Sequence, residues 1–189
     1  TVLDLLPPEQ RRTFLGIKRE DGRVATRNYI GILVCSNCAA TVARKISEHF
    51  DAKYLERYPN VDGVVPFITE LGCGMEQSGE PLALLQRTLA GYIRNPNMGA
   101  SILVALGCER NNIDKLMEAQ GLTEGERFKR MVIQEVGGTK ASIDLGIRMV
   151  EEMLPLVNDV EREPCSAEHL LVALECGGSD GFSGLSANP

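Results

Sequence analysis

Residues 29–35 (YIGILVC) form an unbroken apolar run, and the next apolar residues, Ala39, Val42, Ala43, Ile46 and Phe50, fall on one helical stripe. The run suits a strand covered on both faces, and the stripe suits a helix packed against it. The pair recurs along the chain. Residues 61–68 are apolar, and Leu82, Leu85, Leu89 and Ile93 line a helix with Pro81 just inside its start, where a missing N–H costs nothing. Residues 101–106 precede a short helix over 111–120 with Ile113, Leu116 and Met117 inward. Residues 128–134 predict a fourth strand, and Gly137–Gly138 turns into a long helix over 139–157 carrying Ile143, Ile147, Val150 and Leu154. Residues 170–174 repeat the "LVAL-x-C" phrase of the third strand and predict a fifth. Such alternation requires right-handed crossovers and predicts an α/β fold: a mainly parallel β-sheet with helices on both faces, Rossmann-like and three-layered. Residues 1–28, with two prolines, many charges and no sustained period, read as a lead-in arm to an α/β domain over 29–189.

The chain has 189 residues, with 20 Lys and Arg against 26 Asp and Glu. The formal charge of −6, with both signs interspersed, argues against nucleic acid as a partner, because phosphate backbones are bound by basic faces. Apolar runs are too short to cross a membrane and no signal peptide opens the chain, so a cytoplasmic protein without a membrane partner is expected. The six cysteines then read as free thiols. Cys35 and Cys38 form a C-x-x-C without a second pair at zinc-ribbon spacing, so packing and thiol redox chemistry are both open to them.

In an open parallel sheet, ligands bind outside the carboxyl ends of the strands. Cys35, Ser36, Asn37 and Cys38 follow the first strand; Thr69, Glu70 and the "GCG" around Cys73 follow the second. Cys108, Glu109, Asn111 and Asn112 follow the third, and Cys176, Ser179, Asp180 and Ser183 follow the expected fifth. Thiols, carboxylates and amides thus converge on one rim. Each has a plainer reading too: "GCG" as a positive-φ turn, Asn111 or Asn112 as a helix cap, Glu109 paired with Arg110. Cys165, in a charged segment, reads as a spare thiol. Arg23 and Arg27 precede the first strand, where anchoring to Asp or Glu competes with binding a substrate carboxylate. His49 and His169 lie at the wrong ends of their elements to serve as the base.

"DGRVATRNYIGIL", "YPNVDGVV", "GCG", "ALGCERN" and "CGGSDGFSGLSANP" together resemble the altronate/galactarate dehydratase family of sugar-acid hydro-lyases, from about Phe14 to the last residue. The resemblance implies a central α/β domain whose parent enzyme adds an amino-terminal and a carboxyl-terminal domain, so a fragment, with a homo-oligomer as a further expectation. It implies dehydration of a sugar acid to a 2-keto-3-deoxy acid with a divalent metal, Fe2+ first and Mn2+ second. On that basis Glu109 and Asp180 are the candidate acid/base residues. Arg23, Arg27, Asn37, Asn111, Ser179 and Ser183 are the candidate substrate contacts, and Cys73, Cys108 and Cys176 the candidate metal ligands. Family members often carry a histidine before "GCG"; here Thr69 or Glu70 stands there. That departure admits a related lyase acting on sulfolactate, or a domain that only binds ligand or oligomerises.

Overall fold

The structure, a computed structural model, describes residues 6–173 and 181–186. Strands β1 (Thr13–Lys18) and β2 (Val24–Ala25) come first, then β3 (Tyr29–Val34) and helix α1 (Ala40–His49). A short α2 (Ala52–Leu55) leads to β4 (Gly63–Phe67), α3 (Glu80–Ile93), β5 (Met98–Ala105) and α4 (Ile113–Gln120). Next are β6 (Phe128–Val132), the short α5 (Ile133–Val136), the long α6 (Thr139–Asn158) and β7 (Glu163–Ser166). A single turn, α7 (Ser183–Ser186), lies beyond. The main sheet runs β4-β3-β5-β6, and every neighbouring pair is parallel. The expected α/β architecture is therefore present.

Successive side chains of a strand face opposite ways, and the core divides accordingly. Ile30, Ile32 and Val34 of β3 pack with Val42 and Ile46 of α1 and with Val150 and Leu154 of α6. Leu33 and Cys35 point to the other layer, with Leu85 and Leu89 of α3 and Leu116 of α4. Each such aliphatic side chain, fully buried, contributes roughly 1.5–3 kcal/mol. Gly146 lets α6 approach α1 closely, since a Cβ there would strike the Ile46 side chain. Caps end the elements where the sequence supplies them. Asn112 accepts the Lys115 N–H at the start of α4, and left-handed Gly121 closes it.

Two expectations need correction. Residues 170–173 form no strand: Leu171 is 99% and Val172 75% exposed, and Leu174 lies outside the described residues. Apolar content makes a strand only where a sheet edge offers hydrogen-bond partners, and among the described residues none pairs with this segment. The lead-in, in turn, is not devoid of regular structure. In an antiparallel sheet of order β2-β1-β7, Thr13 lies opposite Ser166 and Ile17 opposite Ala25. Cys165 sits inside that sheet, 3% exposed, so it is a packed residue of β7 rather than a loop thiol.

Candidate functional site at the carboxyl rim

Loops leaving β3, β4 and β5 are laced together by their own backbones. The Asn37 N–H donates to Leu71 O (3.2 Å), and the Asn111 N–H donates to Gly72 O (2.9 Å). Gly72 has φ +102°, and a Cβ on it would collide with the Cys35 carbonyl and lie 2.8 Å from Ser36 Cα. The first glycine of "GCG" is thus required twice over, by conformation and by contact. Asn111 is fully buried. Its amide donates to Cys35 O (3.0 Å) and accepts from Gln86 Nε2 (3.3 Å), so it ties β3, α3 and the 72 loop together and presents no open face to a substrate.

This lacing sets three exposed thiols side by side. Cys38 and Cys73 are close enough for their thiols to interact. Cys38, by its charge and its proximity, pushes the Cys73 thiol above its ordinary value, and burial, Cys108 and Glu109 add to the effect. Glu109 itself is 6% exposed, and its two oxygens accept the N–H groups of Leu106 (2.7 Å) and Gly107 (2.5 Å), clasping the turn that carries Cys108. Asn37 is exposed on the same rim. Ser36 is fully buried with its hydroxyl unpartnered. Cys35 behaves differently from its C-x-x-C neighbour: it is fully buried, and desolvation pushes its thiol far above the usual range, with Glu109 and Asp114 adding to this. A Cys35/Cys38 redox couple is therefore disfavoured, since the thiolate is the reacting form.

Other sequence-derived candidates lie elsewhere. Arg23 and Arg27 sit at the amino ends of the strands. Arg23 pairs with Asp21 (2.6 Å) and donates to the Arg94 carbonyl, while Arg27 pairs with Asp62 (3.1 Å). Within this chain they anchor the segment before β3 and do not reach the carboxyl rim. Asn28, fully buried, completes that anchor through Asn60 O, Val157 O and Arg19. Cys176, Ser179 and Asp180 lie outside the described residues, and Ser183 begins α7. Sequence reasoning put Cys38 on the rim but did not name it among the candidate site residues or see its approach to Cys73. Its partner is 35 positions away, and only the order β4-β3-β5 makes the two loops neighbours.

A family model for the second domain of D-galactarate dehydratase/altronate hydrolase matches residues 16–158. The chain belongs to this family. A second model, the D-galactarate/altronate dehydratase C-terminal domain, matches residues 167–189, which takes in the segment that formed no strand. Altronate dehydratase of Escherichia coli (strain K12) is 34% identical over 172 residues, covering 91% of this chain and 34% of that protein. Galactarate dehydratase (L-threo-forming) of the same strain is 33% identical, covering 100% of this chain and 37% of that protein. The (2R)-sulfolactate sulfo-lyase subunit beta of Chromohalobacter salexigens is 30% identical, covering 94% and 41% respectively. The chain thus spans about a third of the length of the dehydratases it matches. The family's second domain accounts for the whole parallel sheet and the rim that its loops build.

Among the described residues no helix is long and apolar enough to cross a membrane. Among the same residues, no three His, Cys, Asp or Glu side chains are arranged to hold a metal ion. The rim thiols have the soft chemistry iron accepts, but both Glu109 oxygens are already engaged. By themselves the described groups make no metal site, and Cys176 lies outside the described residues.

Proposed function

We propose that this chain is the central part of a cytoplasmic hydro-lyase that removes water from a sugar acid of the altronate or galactarate type, giving a 2-keto-3-deoxy acid. The observation that carries the reading is the meeting of Cys38, Cys73 and Glu109, with Cys108, on three loops after adjacent parallel strands. It is supported by membership of a family whose relatives include dehydratases. In the reaction a base takes the proton α to the carboxylate, the β-hydroxyl leaves with its bonding electrons and a proton, and the resulting enol becomes the ketone. Glu109, with both oxygens held by backbone N–H groups, suits positioning of the Cys108 turn; Asp180 is then the proposed base. Asn37, Ser179 and Ser183 are the proposed contacts to substrate hydroxyls. Domains beyond this chain complete the site.

Fe2+, with Mn2+ second, belongs to this proposal through the family resemblance alone, with Cys73, Cys108 and Cys176 as proposed ligands. Since the described residues do not form a metal site by themselves, no reaction step is assigned to it. A second reading, elimination of sulfite from sulfolactate, is favoured by the sulfo-lyase relative and by Thr69 and Glu70 before "GCG". The test is turnover by the complete protein, prepared anaerobically, of altronate, galactarate and sulfolactate, with and without added Fe2+. Keto-acid release supports the first reading and sulfite release the second. Failure with all three acids overturns both.

A further inference from the structure

The opposite end of the strands holds a cavity of about 460 Å3 whose walls include Arg19, Arg94 and Arg127, with Pro96 and Gly99 beside them. Three segments far apart in sequence supply these arginines: the turn after β1, the end of α3 and the lead into β6. Each is aimed by main-chain carbonyls. Arg19 donates Nε–H to Pro96 O (2.8 Å) and its second guanidinium nitrogen to Asn28 Oδ1 (2.9 Å). Arg127 donates to Gly99 O (3.2 Å) and Leu156 O (3.3 Å), and Arg94 donates to Gln120 O.

Carbonyl contacts fix a guanidinium without neutralising it. A guanidinium has five N–H donors, so two used in Arg19, two in Arg127 and one in Arg94 leave most of each fork unassigned. None of the three arginines forms an ion pair with a carboxylate among the described residues. The cavity's other cations are matched, Lys18 by Glu163 and Arg23 by Asp21. Exposed Glu20, Asp159 and Glu161 also line the cavity, yet pair with none of these arginines. Half-buried Arg19 has its guanidinium pKa lowered, first by desolvation and next by Arg127, with Arg162 adding and Asp21 opposing. Half-buried Arg19 and exposed Arg127 thus stand as like charges within reach of one another, and neither is ion-paired with a carboxylate among the described residues.

We propose that this cavity is a binding site for a small oxyanion, a carboxylate or a phosphate, held by the open N–H groups of Arg19, Arg94 and Arg127. The forked geometry of guanidinium matches either group bidentately. This inference is independent of the lyase reading, because it uses no residue of the carboxyl rim.

Calorimetric titration of the full chain with inorganic phosphate and with citrate, and with glucose as uncharged control, tests it. Saturable binding of either anion, weakened by salt and by about tenfold or more in the Arg94→Gln/Arg127→Gln variant, is the expected result. Phosphate alone binding identifies a phosphate site, and citrate alone a carboxylate site. No saturable binding of either anion, or undiminished binding by the variant, overturns the proposal. If the variant does not fold, nitrogen-edited NMR of the unmutated chain decides. Phosphate should move the Nε–H resonances of Arg19, Arg94 and Arg127 selectively, and no shift, or equal shifts at every arginine, overturns the site.

Discussion

Cys38 and Cys73, from loops that follow adjacent parallel strands, lie close enough for Cys38 to raise the Cys73 thiol above its ordinary value. Mild oxidation with a disulfide reagent should therefore crosslink this pair, and Cys35 should stay unmodified until the chain unfolds. Peptide mapping after alkylation checks it. A Cys35–Cys38 bridge in folded protein would contradict the geometry.

Burial of Cys35 makes stability depend on alkaline pH. Its folded pKa lies above that of the unfolded thiol, so the unfolded chain releases the proton first. The stability contribution is complete below the unfolded thiol value near ~8.5 and is lost as pH rises past it, by about 1.4 kcal/mol per pH unit. Urea titrations between neutral and alkaline pH should show that slope, and Cys35→Ala should remove it.

Asn111 holds a buried carbonyl that has few other options. Asn111→Leu leaves the Cys35 oxygen and the Gln86 amide without this partner, and should cost about 1–3 kcal/mol. Denaturant midpoints measure it. A neutral result would mean that water replaces the amide.

Glu109→Gln tests the clasp. The Leu106 and Gly107 N–H groups each point at one carboxylate oxygen, and an amide offers only one acceptor. We expect a loss of about 1–3 kcal/mol, with faster amide exchange at Gly107. If stability holds but turnover by the complete protein vanishes, Glu109 acts on substrate directly.

Gly72→Ala should be among the most damaging single changes at the rim. It combines a left-handed backbone with a Cβ driven into the Cys35 carbonyl. The strain alone is worth about 1–3 kcal/mol, and thermal unfolding should register it.

The parallel sheet was legible because Ile30, Ile32, Leu33 and Val34 are all buried, which leaves a continuous apolar run in the sequence. The stripe from Ala39 to Phe50 was legible for the same reason, each residue meeting the core. Strands β1 and β7 were not. Thr13–Lys18 is half exposed, its β7 partner lies at the other end of the chain, and Pro164 inside β7 reads as a breaker although it stands opposite Leu15. Residues 170–173 erred the other way, because apolar residues declare a wish for cover without naming what supplies it. At the rim, Cys108 and Glu109 were found from their place after a strand. The separation of Cys35 from Cys38, one sealed in the core and one open to solvent, depends on the turn of the chain between them, which no spacing rule encodes.

Antiparallel pairing of Thr13 with Ser166 draws together two points that bracket the entire sheet. Whatever precedes the first and whatever follows the second leave from neighbouring positions, as the two threads of a drawstring leave one hem. A domain built this way can sit inside a longer polypeptide as a side loop, adding its rim to a composite pocket while the flanking chain continues almost as if uninterrupted.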